Sequence, residues 1–370
     1  MGKKSYLCNR MKKVLLGKSL HELKQLAVEY KLPAFTGKQI ADWLYKKRVR
    51  TIEEMTNLSK AAREILSRDW EVGRVGYSQL QASSDGTKKY LFPVHTNTAV
   101  EAVMIPDEPR ATICVSSQAG CKMGCRFCMT GRQGFSGNLE VNEILSQFME
   151  IDEAQQLTNA VFMGMGEPLD NLANVLKTIE VLTAEWGFAW SPKRITLSSI
   201  GVTMSPHLIE LPDYRQDEKN RGVYHAVNPL KAFLDLTKCH LAISLHNPFP
   251  AERIELMPME KGFPLEDTIR LIKEYDFTGQ RRVSFEYIMF DRVNDTKRHA
   301  DALVRMLKGL ECRMNLIRFH AIPDSPLAPS PMPVIEGFKE RLNGANLMTT
   351  LRASRGEDIF AACGMLAGKK

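Results

Sequence analysis

Three cysteines in the segment CKMGCRFC stand four and three residues apart, at Cys121, Cys125 and Cys128. Glycines flank and separate them, and glycine lets a loop fold tightly around a bound ligand. A structural zinc site takes four ligands, generally as two pairs, and no second CxxC or HxxxH pattern follows nearby. A catalytic zinc usually recruits histidine or a carboxylate. The spacing therefore favours a [4Fe-4S] cluster that keeps one iron open for a substrate or cofactor.

Two further cysteines and one glutamate stand outside this loop. Cys114 lies in the apolar run ATICVSS, seven residues before Cys121, and Cys363 lies in AACGML. Isolated thiols of this kind are more often inert packing groups than reactive ones. Glu101, in VEAVMIP, is likewise more often a polar residue on a half-buried strand than a general base. Residue type alone therefore assigns no chemistry to these positions.

The size of the chain predicts one large domain and a smaller one, since it has 370 residues of which 44% are hydrophobic. No apolar run approaches the roughly 18 residues of a membrane span, and the N-terminal segment lacks the pattern of a secretion signal. A cytoplasmic location is therefore expected. Eight cysteines are too few for a secreted disulfide framework and favour metal or redox chemistry.

The net charge of +7 is unevenly distributed. Residues 1–70 contain 16 lysines and arginines against 7 acidic residues, whereas the rest of the chain is nearly neutral. A basic unit on a nearly neutral body favours polyanion binding, because phosphate contacts supply most non-specific affinity for nucleic acids. A solvated, solubilising face is the competing interpretation.

Changes in hydrophobic period divide the chain into four parts. Residues 1–70 predict a small basic helical domain, and residues 71–110 predict a β-rich connector with a hairpin at a DG turn. Residues 111–345 alternate between β-like runs and helix-like stretches, which predicts an α/β fold with parallel strands. Residues 346–370 form a C-terminal segment that carries Cys363.

The alternation favours a partial (β/α)6 barrel, with functional groups at the carboxyl ends of its strands. Full eight-fold closure would need two more repeats than the pattern contains. The β-like runs are ATICVSS (111–117), NAVFMG (159–164), RITLSS (194–199), LAISLH (241–246), VSFEYIMF (283–290) and MNLIRF (314–319).

A CxxxCxxC motif after the first strand of such a barrel resembles the radical S-adenosylmethionine (SAM) superfamily. The resemblance implies that the open iron binds SAM and that one electron from the cluster yields methionine and a 5′-deoxyadenosyl radical. The segment GMGEP resembles the superfamily motif that holds the amino end of SAM, through Gly166 and Glu167. Other family contacts to SAM match positions at strand ends: Ser198, Ser244, Leu245 and His246.

Longer segments resemble a narrower group, the RlmN-type RNA adenine methyltransferases. The resemblance covers nearly the whole chain and is carried by ATICVSSQAGCKMGCRFCMTGRQGF, VFMGMGEPLDN, LAISLH and GEDIFAACG. It implies formation of 2-methyladenosine in 23S ribosomal RNA and transfer RNA. It also implies a monomeric enzyme and an electron donor of the flavodoxin or ferredoxin type.

The same resemblance implies roles for Cys363, Cys114 and Glu101. Cys363 takes a methyl group from one SAM, and the radical from a second SAM removes hydrogen from that methyl group. The resulting carbon radical adds to adenine C2, and Glu101 matches the position that accepts the C2 proton. Cys114 then attacks the sulfur of Cys363, which releases methylated RNA and leaves a disulfide to be reduced.

Two features depart from the family pattern. His320, in NLIRFHAIP, stands where related enzymes commonly have an asparagine that contacts SAM, and imidazole can also donate or accept a hydrogen bond. The polar excursion at residues 214–229 is longer than the family pattern predicts.

Two alternative functions remain open. A Cfr-type enzyme would use similar cysteines to methylate adenine C8, although the basic N-terminal domain favours C2. A zinc-dependent RNA-binding protein would use the cysteines for binding alone.

Overall fold

A computed structural model describes residues 12–213, 215, 221–277, 279 and 282–368. The described residues form two compact units. The first comprises residues 12–74 and Lys177–Ala189, and the second comprises Val75–Leu176 and residues 190–368. Within these ranges, no helix has the length and apolar character needed to cross a membrane.

The first unit consists of α-helices and one short parallel pair of strands. Its elements are β1 (Lys13–Val14), α1 (Leu20–Glu29), α2 (Thr36–Ala41), α3 (Lys60–Asp69) and β2 (Trp70–Glu71). Helix α1 begins at a capping box formed by Ser19 and Glu22. Residues Lys177–Ala189 complete the unit, where the ring of Trp186 lies 5.4 Å from that of Tyr45. The helical pattern of residues 1–70 does not reveal this added segment.

A large sheet forms the centre of the second unit. The strands of this unit are β3 (Gln79–Ala82), β4 (Lys88–Pro93), β5 (Ala99–Asp107), β6 (Arg110–Cys114), β7 (Gln118–Gly120), β8 (Phe135–Asn138), β9 (Asn159–Phe162), β10 (Ile195–Ser199), β11 (Ile209–Pro212), β12 (Val223–Ala226), β13 (His240–Ser244), β14 (Val283–Met289), β15 (Cys312–Arg318) and β16 (Thr349–Leu351). The sheet has the order β16-β15-β14-β13-β10-β9-β6-β5-β4-β3. Strands β6 to β16 of this series pair in parallel. The predicted hairpin strands β3 and β4 extend the sheet in antiparallel pairing with β5.

Helices connect the parallel strands, as strands that point in the same direction require. The helices are α4 (Met129–Arg132), α5 (Val141–Met149), α6 (Leu172–Thr183), α7 (Pro229–Leu236), α8 (Pro250–Leu256), α9 (Leu265–Ile272), α10 (Lys297–Met306) and α11 (Met332–Gly344). The residues of α6 from Lys177 onward belong to the first unit. Buried side chains such as Leu197, Leu241 and Phe285, each 0% exposed, pack between the strands and the helices. The predicted α/β fold with parallel strands is confirmed.

One parallel strand was not predicted. Residues Thr349–Leu351 form β16, which pairs with β15, whereas the sequence analysis placed them in a C-terminal segment without a strand. Three residues are too few to show a period of two. In the described part of the chain β16 pairs with β15 alone, so the parallel strands do not close into a complete barrel. The predicted polar excursion forms part of the β11–β12 hairpin, and its residues 214 and 216–220 lie outside the described residues.

Candidate active site

The three cysteines lie on a loop that is closed at its base by pairing of β7 with β8. The Cys121 N–H donates to the carbonyl of Gly134 at 2.8 Å, and the Cys128 N–H donates to that of Cys125 at 3.2 Å. Gly120 has φ +76°, and a Cβ at this position would lie 2.0 Å from the carbonyl oxygen of Gly134. Only glycine therefore allows the two ends of the loop to approach so closely.

All three cysteines line one cavity at the carboxyl ends of the parallel strands. The sequence-predicted residues that share its wall are Gly166, Glu167, Ser198, Ser244, His246 and Cys363. Ser198 and Ser244 lie at the carboxyl ends of β10 and β13, Gly166, Glu167 and His246 follow β9 and β13, and Cys363 comes from the C-terminal segment. Leu245 and His320, also predicted to contact SAM, are not among the described lining residues.

Burial raises the pKa of all three thiols, so each favours its neutral form unless a metal binds it. Burial is the main cause that raises the pKa of Cys121 to about 12 and that of Cys125 well above its usual value. Negative charge on Cys128 would raise both further. Thiolates at this place therefore need a metal centre, which deprotonates a thiol that binds it. No group of three His, Cys, Asp or Glu side chains in the described ranges is arranged around a single metal ion.

Gly166 and Glu167 hold the loop after β9 against Gln118 and Ile200. Gly166 has φ +98°, and a Cβ here would lie 2.5 Å from the Cβ of Gln118. The Glu167 carboxylate accepts hydrogen bonds from the N–H groups of Leu169 and Ile200, each at 3.0 Å. Burial raises the pKa of Glu167 to about 7 despite these donors. Its oxygens thus already have donors, and a contact of Glu167 with SAM stays a prediction.

Arg253 fixes the backbone that follows β13. Its Nε donates to the carbonyl of Leu245 at 2.9 Å, and its Nη2 donates to the carbonyl of Ser244 at 2.8 Å. The guanidinium also forms a buried ion pair with Glu260. Leu245 is fully buried, and its contact with SAM stays a prediction.

His246 is held as a neutral ring. Its Nδ1 lies 3.0 Å from the N–H of Ile288, and its ring packs edge-on against Phe127 at 4.9 Å. Burial lowers the pKa of His246 to about 3. Since Nδ1 accepts the hydrogen bond, the neutral ring carries its hydrogen on Nε2. His246 therefore offers a donor to the cavity that it lines.

Cys363 and Cys114 lie close together without a bond between them. Cys363 is exposed to the cavity and Cys114 is buried, and both thiols are free. The next residue, Gly364, accepts a hydrogen bond from the Met129 N–H at 2.7 Å. Burial, followed by the charge of Cys363, raises the pKa of Cys114 to about 12. The two cysteines are therefore electrostatic neighbours.

Glu101 holds the residues that follow Cys363. Its carboxylate accepts hydrogen bonds from the N–H groups of Ala367 at 2.7 Å and Gly368 at 3.2 Å. The ammonium of Lys89 lies 3.1 Å from the other oxygen. The described lining of the cysteine cavity does not include Glu101, whose role as proton acceptor stays a prediction.

His320 lies in a neighbouring cavity and contacts the C-terminal segment. Its Nε2 is 2.8 Å from the Ser354 hydroxyl, and its Nδ1 is 3.0 Å from Glu357 Oε1. The side chain thus joins the end of β15 to the residues after β16. The predicted contact of His320 with SAM remains untested by this geometry.

Arg352 and Glu286 line the cysteine cavity but were not singled out in the sequence. Arg352 donates to Glu286 at 3.3 Å, and Asn315 donates to the same carboxylate at 2.8 Å. A carboxylate inside the apolar run VSFEYIMF was an available signal, because a buried charge needs a partner. Arg352 gave no such signal, since it follows a strand that the pattern did not predict.

The parallel α/β unit with a three-cysteine loop after its first parallel strand defines a radical SAM protein. The sequence profile of the Radical SAM superfamily matches residues 115–303. The profile of the Ribosomal RNA large subunit methyltransferase N-terminal domain matches residues 14–72.

Full-length relatives narrow this class. The probable dual-specificity RNA methyltransferase RlmN of Parabacteroides distasonis is 52% identical over 359 residues, which cover 97% of this chain and 98% of that protein. The protein of the same name from Bacteroides fragilis is 51% identical over 356 residues, 96% of each chain. A crystal structure of a radical SAM methyltransferase from Sphaerobacter thermophilus superimposes with a TM-score of 0.84 at 31% identity, covering 96% of this chain and 99% of that one. The chain therefore belongs to the RlmN family of radical SAM enzymes, which confirms the predicted family and implies an iron-sulfur cluster and SAM.

Proposed function

We propose that this protein forms 2-methyladenosine in 23S ribosomal RNA and transfer RNA through a methyl group carried on Cys363. The observation that carries the proposal is that Cys363 lines the same cavity as Cys121, Cys125 and Cys128. A carrier thiol and a radical source must share one space, because a carbon radical reacts with whatever group it meets first. The names of the relatives support RNA as the substrate.

We assign a [4Fe-4S] cluster to the three loop cysteines and SAM to the rest of their cavity. When bound, the cluster and SAM supply a radical that removes hydrogen from an unactivated methyl group. Around SAM, His246 offers an Nε2–H donor, and Ser198 and Ser244 offer hydroxyl groups. Gly166 allows the backbone before Glu167 to pass close to Gln118. A contact from His320 would require its ring to leave Ser354 and Glu357.

The cysteines carry out the transfer. The thiolate of Cys363 attacks the methyl carbon of SAM and takes over the methyl group. Loss of one hydrogen from this methyl group leaves a radical on the carbon that is bonded to the Cys363 sulfur. This carbon bonds to adenine C2, and the adduct then loses the C2 proton and one electron, which the cluster, oxidised when SAM was cleaved, would take back. Cys114 attacks the Cys363 sulfur, so the carbon–sulfur bond breaks, the released carbon takes up a proton to become the methyl group, and a Cys114–Cys363 disulfide forms. Two electrons from a donor of the flavodoxin or ferredoxin type restore both thiols.

Glu101 would accept the C2 proton only after the amide hydrogens of Ala367 and Gly368 leave its carboxylate. The chain beyond Cys363 must therefore move before this step. The ammonium of Lys89, 3.1 Å from the Glu101 carboxylate, would help to hold this side chain in place during the step.

RNA binding by the basic N-terminal domain, residues 1–70, belongs to the same proposal. The ammonium of Lys47 lies 3.5 Å from the ring centre of Trp43, and that of Lys18 lies 4.9 Å from the ring centre of Trp70. Lysines beside aromatic rings suit a strand that offers both phosphates and bases. Within this proposal the connector 71–110 and the barrel 111–345 carry out the chemistry with the segment 346–370. The enzyme acts as a cytoplasmic monomer.

To test the proposal, the anaerobically reconstituted protein is incubated with RNA, SAM and a reductant, and the RNA product is identified. Mass spectrometry of the digested RNA should find 2-methyladenosine, and Cys363→Ala should abolish it. Cys312→Ala is the matched control, because Cys312 begins β15 and is not among the described residues of the cysteine cavity. That variant should retain normal product formation.

The two alternatives give different results in the same experiment. Methylation at adenine C8 would identify a Cfr-type enzyme. Zinc in place of iron and sulfide, together with RNA binding and no methylated product, would identify a binding protein. Normal product from Cys363→Ala would refute the carrier role of this thiol.

A further inference from the structure

A second cavity of the large unit borders the cysteine cavity. The two share Ile317, Arg352 and Cys363 in their walls. The second cavity has a volume of about 570 Å³, within the range of about 300–1,000 Å³ that is usual for ligand sites. Cys363 can therefore be reached from two sides.

This cavity lies on the unclosed side of the parallel strands. Thr112 of β6 and Thr350 of β16 both line it, although these two strands are not hydrogen-bonded to each other in the described sheet. Thr196 and Asn159, from the strands between them, add further polar groups to the wall. We call this space the lateral cavity.

Arginines give the lateral cavity a positive charge. Those among its described lining residues are Arg110, Arg194, Arg352 and Arg355. Arg110 is paired with Asp107 at 2.7 Å, and Arg352 is held by Glu286 at 3.3 Å. No hydrogen bond or ion pair within the described part of the chain occupies the side chain of Arg194 or Arg355. Two guanidinium groups that have no partner among the described residues and face one polar space favour an anionic ligand, and their planar donors suit phosphate.

The position of Cys363 indicates what this ligand is. If SAM fills the cysteine cavity, the base that receives the carbon must reach Cys363 from the other side. A base stacked in a helix cannot expose C2 to a thiol, so the nucleotide must leave the stack and bring its phosphates with it. We infer that the lateral cavity admits one unstacked nucleotide of the RNA to Cys363, with its flanking phosphates bound by Arg194 and Arg355. The identity of the ligand rests on the proposed function.

The experiment uses the full-length, cluster-loaded protein and an RNA stem-loop with adenine in its loop. Binding is measured over a range of salt concentrations for Arg194→Gln, Arg355→Gln and the double variant. Each lost phosphate contact should flatten the slope of log K against log salt by about 0.7 to 0.9, and the double variant by about twice that. Arg305→Gln, on the exposed side of α10, is the matched control and should keep the parental slope. A protein with both Arg194→Lys and Arg355→Lys should recover most of the slope. A misfolded protein would not recover it.

A second measurement locates the RNA. The stem-loop should slow alkylation of the exposed Cys363 in the parent protein at least tenfold, and this protection should be lost in the double variant. An unchanged slope together with unchanged protection in the double variant would overturn the inference.

Product analysis keeps this inference separate from the proposed function. If the parent forms 2-methyladenosine and the double variant binds RNA normally, only the assignment of the lateral cavity is wrong. If the arginine variants lose slope and protection but the parent methylates no RNA, the cavity is an RNA site and the proposed reaction is wrong.

Discussion

Replacing Arg253 with methionine should strongly destabilise the large unit. Arg253 is 1% exposed and Glu260 is 4% exposed. Methionine has a similar reach but leaves the Glu260 carboxylate buried without its cation. It also leaves the carbonyls of Ser244 and Leu245 without the donors that lie 2.8 and 2.9 Å away. Removing one partner of a buried ion pair costs about 3–5 kcal/mol, because the remaining charge is uncompensated.

The assay is the apparent melting temperature of the cluster-loaded protein at one scan rate. With about 2–4 °C per kcal/mol for a large domain, Arg253→Met should lower it by roughly 6–20 °C. Arg253→Met combined with Glu260→Met should recover much of this loss, because neither partner is then left charged. Arg341→Met is the matched control, since its pair with Asp301 has side chains 44% and 41% exposed. A pair of that kind contributes at most about 1 kcal/mol.

Two outcomes would refute this reasoning. One is an Arg253→Met protein that melts within about 2 °C of the parent. The other is a double variant that is as unstable as the single one, since the cost would then not come from the unpaired carboxylate. SAM affinity should fall together with stability in the single variant, because Ser244 and His246 follow the backbone that Arg253 holds.

Two further predictions concern single residues of the site. Because burial lowers the pKa of His246 to about 3, histidine-labelled NMR should find its ring neutral from about pH 8 to about pH 5, with the signal assigned by its loss in His246→Asn. The neutral ring stabilises the fold above the unfolded-state pKa of about 6.5, and this stabilisation is lost as the pH falls towards the folded-state pKa. An NMR titration midpoint of His246 near pH 6.5 would contradict the argument that burial lowers its pKa. Gly166→Ala should weaken SAM binding in calorimetric titration, because φ is +98° and the new Cβ would lie 2.5 Å from Gln118 Cβ. Gly337→Ala, where nothing lies within 4 Å, should leave SAM binding unchanged, and equal affinities would rule out the steric argument.

The sequence predicted those parts of the fold that have a clear period. The parallel strands from β6 to β15 follow from apolar runs that alternate with helical stretches. Strand β16 has three residues and no period, and it was missed for that reason. The sequence of Lys177–Ala189 does not indicate that this segment packs with the N-terminal helices. Helical periodicity shows which face of a helix is buried, but not which part of the chain packs against that face.

The candidate site follows the same rule. Ser198, Ser244 and His246 share a cavity with the three cysteines because each stands at the carboxyl end of a parallel strand. Successive side chains of an extended chain point to opposite faces, so Leu245, between the lining residues Ser244 and His246, is buried behind the wall. His320 also ends a strand, but its ring is drawn towards Ser354 and Glu357 by contacts between distant parts of the chain.

Cys363 is positioned in a different way, because no helix or strand contains it. Before it, Arg352 is held by Glu286; after it, Gly364 is held by Met129. Polar contacts on both sides can be exchanged one at a time, whereas a residue inside a strand moves only when the sheet opens. The Cys363 thiol must contact first a methyl donor and then a nucleotide, so the segment that carries it must be able to move between these two positions. Changes that loosen these contacts should therefore impair both methylation of Cys363 and transfer to RNA, while changes at Arg194 and Arg355 should impair transfer alone.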